Sequence, residues 1–220
     1  MREKKMGLAT REAYGKTLVE LGAKNPNVVV LDADLSKSTK TEFFCQKFPE
    51  RFFNVGIAEA NLVGIATGLA NCGKIPFISS FACFLICKGY DQLRMGVAFP
   101  RLNVKVVASH GGISVGEDGV SQQSIEDFAL TASLPYFTVL NPSDEISARA
   151  LVEQSAGHEG PVYMRTSRPK AAIVHDANTK FEIGRGVKLR DGSDVTIFAT
   201  GLLVFESLLA ADELQKKGIS

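Results

Sequence analysis

Between residues 28 and 31 the chain reads Val28-Val29-Val30-Leu31, four apolar side chains with no polar alternation. A strand with one wet face alternates, so an unbroken run of this kind belongs to a strand covered on both sides. Comparable short runs recur at 52–55, 75–79, 104–109, 137–140 and 162–166. Helical patterns occupy the intervals, at 10–23 with Thr10 as its cap, 59–71, the stretch through Gln92 and Val97, 125–131, and 141–156. Strands alternating with helices this regularly predict an α/β domain with a mainly parallel sheet sandwiched by helices. Within it, Gly64 and Gly68 are expected to allow another element to approach closely, and Asn141-Pro142-Ser143-Asp144-Glu145 reads as a helix start with Pro in the first turn.

After Arg168-Pro169 the texture changes. Residues 181–189 and 194–199 read as two strands joined at Asp191-Gly192, and 203–217 as an amphipathic helix. One hairpin and one helix cannot enclose a core. The expected division is therefore 1–175 for the first domain and 176–220 for the beginning of a second α/β domain that is truncated.

With 25 Lys+Arg against 24 Asp+Glu and no basic stripe, the chain carries no nucleic-acid footprint. The opening Met1-Arg2-Glu3-Lys4-Lys5-Met6 has no apolar signal core, and no stretch approaches the ~18 apolar residues of a membrane span. A cytoplasmic protein is expected. Cys45, Cys72, Cys83 and Cys87 form no CxxC pair and read as buried free thiols rather than metal ligands or disulfides.

The unusual residues fall just beyond the carboxyl ends of the expected strands. Asp32, Asp34, Ser36 and Ser38 follow the first, Glu59 the second, Phe81 and Phe84 the third, His110 and Gly111-Gly112 the fourth, and Arg168 the last. In an open parallel sheet that edge is where ligands bind, so separate segments converge on one crevice. Glu59, in the first turn of its helix, faces the prospect of an aromatic slot made by Phe81 and Phe84, spaced i,i+3. A carboxyl in that setting stays protonated near neutral pH where desolvation outweighs the helix N-terminus, and it then donates a hydrogen bond to a flat heterocycle. The glycine loop matches neither a Walker pattern nor GxGxxG.

Asp32-Ala33-Asp34-Leu35-Ser36-Lys37-Ser38, Gly56-Ile57-Ala58-Glu59, Ser80-Phe81-Ala82-Cys83-Phe84 and Tyr90-Asp91-Gln92-Leu93-Arg94 together resemble the transketolases, and specifically their pyrimidine-binding domain. The most specific stretches are 109–119, Ser-His-Gly-Gly-Ile-Ser-Val-Gly-Glu-Asp-Gly, and Arg165-Thr166-Ser167-Arg168-Pro169. The likeness runs from about Leu8 to the end.

The resemblance implies thiamine diphosphate as cofactor and transfer of a two-carbon ketol unit between sugar phosphates. It implies that Glu59 hydrogen-bonds the pyrimidine ring, that Phe81 and Phe84 form the ring pocket, and that Asp34 touches the thiamine. It gives Asp118 to the donor's hydroxyl and Arg11, Ser38, His110 and Arg168 to the sugar phosphate, with His110 and Glu59 in catalytic roles. Gln122 stands where some members carry a histidine, and Cys87 or Tyr90 where some carry a third aromatic. The Gly-Asp-Gly motif with a following Asn that holds a divalent metal such as magnesium is absent from the sequence. The resemblance thus implies a half-site, with diphosphate and metal held by an N-terminal half or subunit in a homodimer or hetero-tetramer. Deoxyxylulose-phosphate synthase, a 2-oxo acid dehydrogenase β subunit and a non-catalytic assembly module are the alternatives; 116–119 and 166–169 favour transketolase over the first two.

Overall fold

The computed structural model describes residues 3–220, so Met1 and Arg2 of the opening stretch lie outside the described residues. Six strands form one parallel sheet: β2 (Val28–Asp32), β3 (Phe52–Asn54), β4 (Ile75–Ser79), β5 (Lys105–Ser109), β6 (Thr138–Leu140) and β7 (Val162–Thr166). Their order is β3-β2-β4-β5-β7-β6. All five residues of β2 are buried, as its unbroken apolar run requires.

Alternate residues of β2 enter different cores. Val28 and Val30 face α1 (Thr10–Lys24), where they pack with Tyr14, Leu18 and Phe77, and with Val152 of α7 (Glu145–Gly157). Val29 and Leu31 face α4 (Glu59–Asn71) and α5 (Ala82–Gln92), against Leu62, Ala66, Leu85 and Ile86. Each such fully buried aliphatic side chain contributes about 1.5–3 kcal/mol of transfer free energy. The sheet is thereby fixed between two helical layers, and its carboxyl edge becomes a rigid rim.

The order of strands places switch points at that rim. From β2 the chain goes to β3 on one side and returns to β4 on the other, so the loops after β2 and β4 part and leave a crevice. A second reversal occurs between β5 and β7. Two short helices, Ser36–Thr39 (α2) and Glu42–Lys47 (α3), cross over from β2, and α6 (Asp127–Ala132) precedes β6.

Several expectations change. A two-stranded antiparallel sheet of β1 (Met6–Ala9) and β8 (Lys170–Ala172) is present, which the sequence reading did not anticipate. Thr10 is not a cap: Ala9 takes that position without a side-chain bond, and the Thr10 hydroxyl accepts from the Ser167 backbone N–H at 2.7 Å. Pro142 lies outside α7, whose N-cap is Asp144 in a reciprocal capping box with Ser147. Gly64 and Gly68 face open space; close approach to their helix is made instead by Gly89, against Val63, and by Gly96, in the wide helical turn Leu93–Ala98, against Thr67.

Residues 181–199 form no strands. Their backbone N–H groups find few ladder partners, and those of Asp194 and Val195 donate to the Ser220 carbonyl instead of to a hairpin. Helix α8 (Leu203–Lys216) does form, burying Val204, Phe205 and Leu208. The four cysteines are free, but Cys72 and Cys87 are exposed and Cys45 and Cys83 half-buried, and none belongs to either core. No helix of the described residues is long and apolar enough to cross a membrane.

Candidate functional site

Helix α4 begins at Glu59, and the fold turns that first-turn carboxylate inward, leaving it 2% exposed. Ser80 Oγ, just past β4, donates to Glu59 Oε1 at 3.2 Å. Lys88 Nζ, two turns into α5, lies 3.6 Å from Glu59 Oε2 and 4.7 Å from the centroid of the Phe84 ring. A buried carboxylate, an ammonium and an aromatic face thus share one wall.

Phe81 is the N-cap residue of α5, and Phe84 follows three residues on with its ring stacked at 5.6 Å and 18° from that of Phe81. On its other side Phe81 meets the His110 imidazole at 3.9 Å and 23°, because the backbone at Phe81 bridges to Ser109 at the end of β5. Phe84, Phe81 and His110 therefore form one continuous flat stack across the ends of β4 and β5.

His110 sits at φ +60, is 2% exposed, and shares a 2.8 Å hydrogen bond between Nδ1 and Ser109 Oγ. Its Nε2 lies 3.5 Å from Arg11 NH1. A guanidinium only donates, so Nε2 presents its lone pair and the proton belongs on Nδ1, donated to Ser109. Burial first, then the positive charges of Arg11 and Arg168, push the imidazole down to about 3, so it is neutral at pH 7.

Arg11 NH1 also donates to the Ser38 carbonyl at 2.7 Å. Burial and the Arg168 charge lower the Arg11 pKa, while Asp118 opposes them. Arg168 is placed by the mutual bonds of Thr10 and Ser167, which join the start of α1 to the end of β7 and so set the two arginines side by side. Its guanidinium donates to Glu117 and lies 3.6 Å from Asp118 Oδ2, which is 4.0 Å from His110 Nε2. The structure thus brings Arg11, Ser38, His110, Asp118 and Arg168 into one cluster.

Asp34 follows β2 at φ +65 and is exposed. Asn54, at the end of β3, pins it: Asn54 Nδ2 donates to Asp34 Oδ1 at 2.9 Å, while Asn54 Oδ1 accepts from the backbone N–H groups of Asp34 and Gly56. Asp32 is buried and serves the loop. It accepts from Leu35 N, Thr39 Oγ1 and Thr41 Oγ1, and burial raises its carboxyl to about 6.

Other candidates stand apart from the stack. Tyr90 directs its hydroxyl to Ser133 and Leu130, Cys87 donates to Glu126, and Gln122 accepts from Ser121. Among the described residues no group of three or more His, Cys, Asp or Glu is arranged to hold a metal ion. Two concavities, about 460 Å³ beside α1 and α7 and about 690 Å³ along residues 186–199 and α8, contain none of the clustered residues.

Asn54, Ser80, Lys88 and Glu117 were given no role by the sequence reading. Lys88 had a legible signal, since it lies four residues after Phe84 and therefore on the same helix face. The others depend on contacts between loops.

The model of the transketolase pyrimidine-binding domain matches residues 6–172, and that of the transketolase C-terminal domain matches 184–220. A putative transketolase C-terminal section of Methanocaldococcus jannaschii is 49% identical over 212 residues, covering 96% of this chain and 67% of the relative. Transketolase-like protein 2 of Mus musculus is 44% identical, covering 96% of this chain and 34% of its own. A solved split-gene transketolase, described as an inactive β4 tetramer, superposes with a TM-score of 0.89 at 50% identity, covering 97% of this chain and 69% of that one. The chain spans about a third of the mouse relative and about two thirds of the archaeal section.

Proposed function

The chain belongs to the transketolase family, and from that premise we propose that it supplies the pyrimidine side of a two-carbon ketol transfer between sugar phosphates. On this reading residues 1–175 are the pyrimidine-binding domain and 176–220 part of the C-terminal domain. A diphosphate-binding half or subunit completes the site, in a homodimer or hetero-tetramer, and carries the divalent metal. The observation that carries the reading is Glu59: an acid buried at the carboxyl rim, beside the stacked Phe81 and Phe84. Such a carboxyl and such a ring fit a flat, nitrogen-bearing heterocycle, the chemistry of a thiamine pyrimidine.

Thiamine diphosphate, when bound, supplies the carbon that carries the two-carbon unit. Glu59 would exchange a hydrogen bond with the pyrimidine nitrogen, Phe81 and Phe84 would orient the ring, and Asp34, fixed by Asn54, would touch the thiamine. At the substrate end the guanidinium forks of Arg11 and Arg168 match a phosphate, with the Ser38 hydroxyl as a further donor. Asp118 would accept from a sugar hydroxyl. Neutral His110, its Nδ1 proton committed to Ser109, would accept a hydrogen bond from a sugar hydroxyl at Nε2; its lowered pKa makes it a weak base, so it would hold and orient that hydroxyl rather than strip its proton.

The rim also supports a covering partner. Ile57, Ile113, Val120 and Ile125, all on loops at the carboxyl ends of β3 and β5, are 77%, 84%, 86% and 82% exposed. Apolar side chains grouped beside a functional rim mark an interaction surface. A cytoplasmic setting accords with four free cysteines.

The test is reconstitution with a separately produced diphosphate-binding half. The mixture is expected to form sugar phosphates that neither half forms alone, and Glu59→Ala to lower the rate by at least about 100-fold. Full activity with Glu59→Ala would refute the catalytic assignment.

A further inference from the structure

Arg168 is already occupied. Its guanidinium donates to Glu117 and lies 3.6 Å from Asp118, so two carboxylates fill the fork that a phosphate would take. Asp118 is shared with His110, but Glu117 touches only Arg168 among the clustered residues. It is 74% exposed and stands on a short turn between Gly116 at φ +77 and Gly119 at φ +87, backbone conformations that ordinary side chains rarely adopt.

We infer that Glu117 is a built-in stand-in for the anionic end of the substrate, a specificity-determining residue that weakens phosphate binding by holding the Arg168 fork. This rests on reading Arg168 as part of the phosphate grip. The physical logic is charge balance. Arg11 and Arg168 are like charges set side by side, and with Asp118 and Glu117 present the two cations face two anions. An arriving phosphate must displace the Glu117 carboxylate before it can use both N–H groups of the fork. Because the pair is exposed, the effect is modest, about three- to tenfold in affinity.

The test titrates inorganic phosphate against the full chain at pH 7.5 by calorimetry and compares Michaelis constants in the reconstituted complex. Glu117→Gln removes the charge; Glu117→Asp keeps it but shortens the reach. Both are expected to tighten phosphate binding at least threefold. Both should also lower KM for a phosphorylated ketose with kcat unchanged, and leave KM for an unphosphorylated ketose alone. Glu213→Gln, on α8, controls for net charge and should change nothing.

Wild-type affinity in Glu117→Gln overturns the proposal. So does wild-type affinity in Glu117→Asp, which would assign the effect to long-range field rather than to an occupied fork. Arg168→Ala separates the two levels of inference. If it weakens phosphate binding while the Glu117 variants do nothing, only this proposal fails; if it leaves binding intact, the phosphate-grip reading fails and this proposal with it.

Discussion

Acid should destabilise this protein through His110 by an amount that can be worked out in advance. An unfolded chain binds a proton at histidine with a pKa of about 6.5. Folded His110 is held at about 3 by burial and two guanidinium groups, so between these values the unfolded state binds one more proton than the native state. Stability therefore rises with pH: the contribution is present in full above about 6.5 and is lost as pH falls toward 3. At pH 5.0 the loss is about 2 kcal/mol, a figure set by the unfolded value alone as long as the folded value stays below about 4. His110→Gln removes the titrating group and keeps an amide able to bond Ser109. The chain has no Trp, so urea unfolding is followed by circular dichroism, at pH 7.5 and 5.0, for wild type and variant. Carboxylates, His158 and His175 titrate in both proteins and cancel in the difference. The expected result is a fall between the two pH values that is about 2 kcal/mol smaller in the variant. Parallel falls would show that His110 takes up its proton normally, and would remove the argument that it works as a neutral group.

Gly111→Ala should cost about 2–3 kcal/mol, because the new Cβ would stand 2.4 Å from Arg165 Cδ and push that guanidinium off buried Asp127, which it meets at 3.0 Å. Thermal unfolding checks this: the double variant with Arg165→Ala should be no less stable than Arg165→Ala alone, and an additive loss would locate the clash elsewhere. Asn54→Ala should release Asp34 from its φ of +65 and cost about 1 kcal/mol, read as faster hydrogen exchange at the Asp34 and Gly56 amides. Unchanged exchange at both would show that the clamp does not hold the loop.

The parallel sheet was legible because each of its buried strands is written as a local apolar run, and the Glu59–Asn71 helix because its acid start and small apolar body are local too. What failed to show was pairing at a distance. Met6–Ala9 has four residues of mixed exposure, and only its distant partner Lys170–Ala172 makes it a strand. The converse error has the same cause. Residues 181–199 carry strand-like alternation, yet a strand exists only where its N–H and C=O groups meet a neighbour, and here Ser220 supplies the bonds to Asp194 and Val195. Gly64 and Gly68 were read as packing glycines from spacing alone, whereas the helix rotates them outward and gives that work to Gly89 and Gly96.

The same distinction divides the site. Strand ends told where the clustered groups gather, since Asp34, Phe81, His110 and Arg168 each lie one or two residues past the end of a strand, but not how strongly they act on one another. The β1–β8 ribbon is the missing piece: by pairing the chain's first strand beside the end of β7 it locks Thr10 to Ser167, and the next residue on each side is an arginine. Two like charges brought together in this way add to the burial that keeps His110 neutral, and they draw Glu117 and Asp118 onto Arg168. A short, half-exposed hairpin-like contact, invisible to periodicity, thus reinforces the neutrality of the imidazole and positions the fork for its carboxylates. It follows that a substitution in β1 or β8, outside the cluster itself, acts on the site through the spacing of Arg11 and Arg168.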